Sequence, residues 1–359
     1  MSCSIPDVAV GAGAQGVRQL GSGVVIPRLT APSRPSAAPR TGPARRVAAA
    51  ALAAAVLSTA VACAQDETAE EGPAPAGDEA AETLEPAVRV DAGPAPEVEV
   101  LEAGGGERRV LAYAPSSEPA VVAVTRSASA TTAVPGAEPS TQTTPAQTLT
   151  VEGSSEPDVD GAQRAEVTAR EFTSVDEHRN AQFATAAGFT VTWTRDADGS
   201  VRSYSLEAPA GATDAARAGI EVTADVVADA TVIWPTEEIG VGARWTVTDR
   251  VDDAVAPTRV VTYELTRLEG DLATVRSSTT APETAPVLTA PAPDGGPDVA
   301  LEVDTYDVTG SGEFTVDLRA ALPAEGRTES STRAVYVDPD SGLRTTHDED
   351  SALEFSPAG

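Results

Sequence analysis

The 359-residue chain contains no lysine: all 25 of its basic residues are arginine, set against 55 acidic residues for a formal net charge of −30. A polyanion of this size repels nucleic acid and anionic headgroups, so no nucleic-acid partner is expected. Cysteine is nearly absent, only Cys3 and Cys63 being present, which excludes a disulfide framework and a thiolate zinc site. Histidine is limited to His178 and His347, and no Gly-x-Ser-x-Gly occurs. A nucleophile needs a base beside it, so no catalytic residues, no metal site and no cofactor are expected. Aromatic side chains are also scarce: three Trp, five Tyr and five Phe. That implies either a thin core or a sheet folded around a hollow.

What is present starts with Arg45-Arg46 and the apolar run from Val47 to Thr59, ending in Ala60-Val61-Ala62-Cys63. The run is short of the roughly 20 residues that a permanent span needs. A positive start, an apolar stretch and small residues against a cysteine make a bacterial lipoprotein export signal. Residues 1–62 are therefore expected to be removed, leaving Cys63 as the lipid attachment site and the membrane as a partner through that anchor. The expected location is the outer face of the cytoplasmic membrane or the cell envelope. Ala60-Val61-Ala62 also satisfies the small-x-small rule of ordinary cleavage, which keeps simple secretion open as the alternative. The 44 residues before Arg45 are long for such a signal and rich in Pro, Gly and Ala, which suggests a true start nearer Val24, Val25 or Leu29. Without the leader's six arginines and Asp7, 19 basic residues face 54 acidic ones, a net of −35. Residues 63–95 read as a disordered acidic tether, because such composition cannot offset its own ordering entropy.

From Arg108 onward, period-two runs broken by Pro, Gly and Ser clusters predict antiparallel strands. The cleanest alternates Phe189, Val191 and Trp193 with Thr190, Thr192 and Thr194. Others cover 110–114, 120–134, 147–152, 165–172, 201–206, 244–248, 259–266, 273–278, 305–318, 328–337 and 343–355. Ser174-Val-Asp-Glu177 predicts a capping box for a short helix over 175–187, with Gly188 as a left-handed C-cap. Thr213-Asp214 predicts a second helix to about Asp229, although Ile220, Val222, Ala224 and Val226 fit a strand equally well. The Pro/Gly-rich segment 281–298 reads as a flexible loop. The hairpin at Thr192–Ser203, with its Asp196-Ala-Asp198-Gly199 turn, is echoed at Val335–Thr345, where the turn is Asp338-Pro-Asp340-Ser-Gly342. The body, 96–357, is thus one β-rich domain, with pseudo-repeated halves at about 100–207 and 240–356 as an open alternative.

Other motifs carry little chemistry. Gly11-Ala-Gly13-Ala-Gln-Gly16 matches a dinucleotide fingerprint, but residues 17–65 hold no acid for the ribose. The turn acids Asp196, Asp198, Asp338 and Asp340 lack the glycine position and bidentate glutamate of a calcium loop. Both histidines read as solvated, His347 within the polar run His347-Asp-Glu-Asp350. Gly240 and Gly242 before Trp245 suggest a bulge or close backbone approach.

The segment Pro235-Thr-Glu237-Glu-Ile239-Gly240-Val-Gly242-Ala243-Arg-Trp245 resembles a family of uncharacterised actinobacterial lipoproteins and secreted proteins with a Pro-x-Glu-x-apolar-Gly-x-Gly-Ala-x-Trp motif. The likeness extends over roughly 100–356, including Gly310-Ser-Gly312, and implies architecture and location rather than an activity. A more distant similarity is to lipoprotein-carrier and mycobacterial lipid-transport lipoproteins. It rests on the tether, the order of strands and helices, and the Asp338–Arg344 hairpin, and it implies a curved sheet that holds acyl chains. Together these readings predict a mainly β fold: a curved antiparallel sheet, or half-open barrel, with about two short helices after a disordered N-terminal region. The expected function is a non-enzymatic, membrane-anchored lipoprotein, with a lipid or apolar ligand in the concavity. The alternative is an adhesive or scaffolding envelope protein without a small ligand. Trp193, Trp234, Trp245, Tyr263, Phe314 and Tyr336 are the candidate pocket or core aromatics.

Overall fold

The computed structural model describes residues 88–358, apart from 92–93, 252 and 291–297. The expected leader and the attachment residue Cys63 lie outside the described residues. The strands in chain order are β1 (Val88–Asp91), β2 (Glu97–Arg109), β3 (Ala120–Ala133), β4 (Ser140–Pro157), β5 (Gln163–Ser174), β6 (Thr190–Arg195) and β7 (Val201–Glu207). They continue with β8 (Ile239–Arg250), β9 (Thr258–Glu269), β10 (Leu272–Thr280), β11 (Val287–Ala290), β12 (Val299–Asp317), β13 (Glu325–Val337) and β14 (Arg344–Pro357). Helix α1 (Asn180–Phe183) is one turn flanked by 3-10 turns, and α2 (Asp214–Asp229) is the long helix.

All strands join one antiparallel sheet in the order β1-β7-β6-β5-β4-β3-β14-β13-β12-β10-β9-β8-β2, with β11 added beside β12. The sheet is therefore two meanders, β3–β7 and β8–β14, joined where β3 pairs β14. The two hairpins that echo each other in sequence each end one of these meanders. Among the described residues β1 and β2 do not pair, so the sheet stays open. β1 and β2 lie on opposite edges of the sheet although only six Cα steps separate Asp91 from Glu97 in the chain. The connection from β7 to β8 also runs from one edge to the other, and it carries α2.

Alternation explains which face fills. Directly paired residues share a face, so Trp245↔Tyr263, Val275↔Phe314, Phe355↔Val124, Leu149↔Phe172 and Val167↔Val191 place their side chains on one side. These residues form one cluster with the inner side of α2. Thr213 caps α2 as predicted, its hydroxyl accepting from the Ala216 N–H at 3.3 Å. The helix period, rather than the equally plausible strand period, wins here: Ala216, Ile220, Thr223, Ala224 and Val227 form the buried stripe. Gly219 allows the close approach, since a Cβ there would stand 2.4 Å from the Phe172 ring. On the opposite flank Gly240 faces the Gly105 carbonyl oxygen, 2.3 Å from where its Cβ would be, so the β8–β2 contact tolerates no side chain. Gly242, at φ +84°, sits beside it in an irregular stretch of the ladder.

Several expectations change. Residues 110–114 form no strand: β2 ends at Arg109, and Leu111 and Tyr113 pack inward from the loop that follows. Val88–Asp91, within the segment read as tether, pairs with β7 as an edge strand. Ser174 is the last residue of β5 rather than a helix cap. The Asn180 side chain accepts from its N–H at 2.7 Å and holds it in the strand, and Asp176 caps the following turn through the His178 N–H. Gly188 does adopt the left-handed conformation, at φ +86°. Within 281–298, Val287–Ala290 pairs with β12, and 291–297 lie outside the described residues. His347 is buried, because the period-two pattern of β14 turns it to the same side as Leu353 and Phe355, whereas His178 is exposed as expected.

Candidate functional site

Five of the six aromatics singled out in the sequence are buried, but they do not form one pocket. Trp234, Trp245 and Tyr263 continue from Tyr113 in a ladder of rings, with centroids 6.5, 5.6 and 5.4 Å apart along it. The Trp245 indole N–H donates to the Ile233 carbonyl at 2.8 Å, tying the segment after α2 onto β8. Phe314 meets Phe355 edge-on at 6.1 Å, near the middle of the sheet. Tyr336 is half-buried further along the same strands, close to Tyr306, whose hydroxyl donates to Asp253 at 2.8 Å. Trp193 alone lines a hollow. Ladder, edge-on pair and outlier are separate packing solutions.

That hollow lies between α2 and the sheet. Val124, Leu149, Val151, Val167, Ala169, Phe189, Val191 and Trp193 form its sheet wall; Ile220, Thr223, Ala224 and Val227 form its helix wall, and Leu322 closes one end. Thr223 is the one polar residue among them, and its hydroxyl is occupied, donating to the Gly219 carbonyl at 2.7 Å. The free volume is only about 20 Å³, space for about one water-sized sphere. With α2 seated, the crevice is shut.

Three polar groups that sequence reasoning missed surround α2. Glu221, Asp225 and Asp229 recur at i, i+4 and i+8, so three carboxylates share one side of the helix. At the far end Arg259 of β9 holds Asp229 at 3.1 Å and Asp249 of β8 at 2.6 Å. Burial alone would lower the Arg259 pKa, but these two carboxylates raise it above the ordinary arginine value. Asp225 has no such cation. Its partner is the Tyr204 hydroxyl of β7, which donates at 3.3 Å. Burial, with Asp229 and Glu221 adding to it against the Tyr204 hydrogen bond, pushes Asp225 up to about 7. The i, i+4 spacing was visible in the sequence; that the stripe faces β7 and β9 was not.

Two arginines point into the protein. Arg195 of β6 lies with its guanidinium carbon 4.1 Å above the centroid of the Tyr113 ring, and donates to the carbonyls of Ala321 (3.2 Å) and Ala320 (3.0 Å). It staples three parts of the chain. Arg126 of β3 donates to Gln147 of β4 at 2.6 Å, while its Nε is buried without a partner. Burial first, then the nearby Arg179, lowers its pKa to about 10. The parity of Val122, Val124 and Arg126 in β3 was the available signal for this inward arginine.

A second, open cleft of about 620 Å³ crosses the long strands at mid-length. It follows the paired row Gly310↔Ser330↔Ser351↔Ala128↔Thr144 and the residues beside each, including Glu329 and Asp350. Small hydroxyl and methyl side chains dominate its lining, with no aromatic ring and no arginine. The turn acids are engaged in turn chemistry: Asp198 accepts from the Ser200 N–H at 2.8 Å and Asp338 from the Asp340 N–H at 2.9 Å. No grouping of His, Cys, Asp and Glu able to hold a metal occurs among the described residues. No helix of the described residues is long and apolar enough to cross a membrane.

No protein-family model and no curated protein matches the chain.

Proposed function

We propose that the protein is a non-enzymatic extracytoplasmic lipoprotein, anchored through Cys63, that takes an apolar or amphiphilic ligand into the concavity beneath α2. The resemblance to actinobacterial lipoproteins and, more distantly, to lipid-transport lipoproteins agrees with this reading. The observation that carries it is the crevice: a lining apolar but for Thr223, and shut by α2, which reaches Tyr204 of β7 and Arg259 of β9. Sheet strands cannot part without breaking ladders of hydrogen bonds, whereas α2 is held by side chains. Withdrawing α2 exposes a continuous apolar wall on β3–β6, and a ligand with apolar surface repays that exposure. Apolar sites of this kind bind without chemistry, which suits a site holding neither acid, base nor nucleophile.

Native mass spectrometry of the gently extracted chain tests the ligand. A discrete added mass, lost on organic extraction, is the expected result; a bare polypeptide that gains no thermal stability from added lipids overturns the reading. Palmitate-analogue labelling of cells, abolished by Cys63→Ala, tests the anchor. The second reading, an adhesive or scaffolding protein, draws on the open hydroxyl-lined cleft at mid-strand. It predicts a bare polypeptide together with loss of cell-surface association when Ser330 and Ser351 are replaced by bulky residues.

A further inference from the structure

We propose that Arg126 is the headgroup anchor for an anionic single-chain amphiphile, a carboxylate or phosphate ester, whose apolar chain lies in the crevice beneath α2. This rests on the ligand reading above and specifies its chemistry. The pair Val124↔Leu149 forms part of the crevice wall, and Arg126↔Gln147 is the next pair on the same face of the same two strands. Two residues along a strand is about 7 Å. The guanidinium therefore stands at the end of the apolar wall, one step beyond it.

The chain's charge makes the arrangement unusual. Acids outnumber arginines more than twofold, and Arg259 is held by two carboxylates at once. Yet Arg126 has no carboxylate within ion-pair distance among the described residues, only the neutral Gln147, and its Nε–H is left buried and unpaired. Buried donors of this kind are ordinarily satisfied. Arg195 also turns inward and also leaves its Nε–H unpaired, but two carbonyl oxygens and the Tyr113 ring take the rest of its guanidinium, whereas Arg126 meets only the Gln147 amide. No carboxylate among the described residues pairs with Arg126. Its guanidinium is suited to binding an oxyanion, since it presents planar donors to carboxylate or phosphate oxygens. Arg179, on the turn ahead of α1, adds positive charge nearby, tempered by Asp176 at 3.7 Å.

The test measures displacement of a neutral fluorescent apolar dye from the full chain by hexadecanol, palmitate and lysophosphatidate. The wild type is expected to bind one or both anions at least tenfold more tightly than hexadecanol, and the better anion identifies the headgroup. Arg126→Gln should abolish that preference and leave hexadecanol binding unchanged; Arg126→Lys should retain part of it. Wild-type affinity that is equal for alcohol and anions overturns the role of Arg126 while leaving the crevice reading intact. Absence of binding by all three overturns both. The wild-type comparison decides the matter even if Arg126→Gln does not fold.

Discussion

The long strands β3, β4 and β12–β14 behave in opposite ways at their ends and at their middles. Where Phe314, Phe355, Val124 and Leu149 meet, large apolar side chains fill the space to the helix and leave about 20 Å³ free. A few residues along the same strands, at Gly310, Ser330, Ser351, Ala128 and Thr144, an open cleft of about 620 Å³ remains. The antiparallel ladder runs through both places, with one register shift of β3 against β4 between Arg126 and Ala128. Side-chain volume makes the difference: interiors pack to crystal-like density only where there are atoms enough to do it. With 13 aromatics available, the protein places Phe314 and Phe355 toward one end of these strands and leaves their middle lined by small hydroxyls. A scarcity that reads in the sequence as a thin core is thus an unevenly distributed one.

Mutation at the two regions should separate them sharply. Trp245→Ala, which deletes a fully buried ring and its bond to the Ile233 carbonyl, should cost about 3–5 kcal/mol in urea unfolding. A much smaller loss would mean that the filled end is loosely packed. Gly219→Ala should cost about 1–3 kcal/mol through the clash with Phe172, outweighing the better helix propensity of alanine. A stabilised variant would show that α2 has room to move off the sheet. Asp225→Asn sharpens the comparison through pH. Because the folded-state pKa lies above the ordinary carboxylate value, the folded protein binds more protons between about pH 4 and 7. Stability from this group is then greatest at the acid end and declines as pH rises to about 7. Melting curves of Asp225→Asn should lack that decline and lie above wild type at pH 8; parallel profiles would remove Asp225 as its source. At the open end Ser330→Ala should change stability by no more than about 0.5 kcal/mol, and a large loss there would erase the contrast.

Much of the ladder was legible from alternation. The strand at Thr190–Arg195, the hairpin turns and the Thr213 cap follow from local chemistry that acts within a few residues. The site was far less legible. Trp193 was recognised, but its partners across the crevice come from β3, β4, β5 and α2, up to 69 positions away along the chain. Arg126 and Asp225 were not singled out, because the sequence shows their spacing and not what covers them. His347 was misread for the same reason: its polar neighbours Asp348 and Asp350 occupy the other face of β14.

The amino-acid order by itself settled a lysine-free, strongly acidic chain built mainly of antiparallel strands, with Thr213 as a helix cap, because composition, period and caps are local properties. Only the tertiary structure decided that β1 and β2, neighbours in the chain, guard opposite edges of one sheet, and that α2 reaches both β7 and β9. It alone decided which inward arginines meet carboxylates and which meet only neutral groups, since burial depends on strands that meet over long sequence separations.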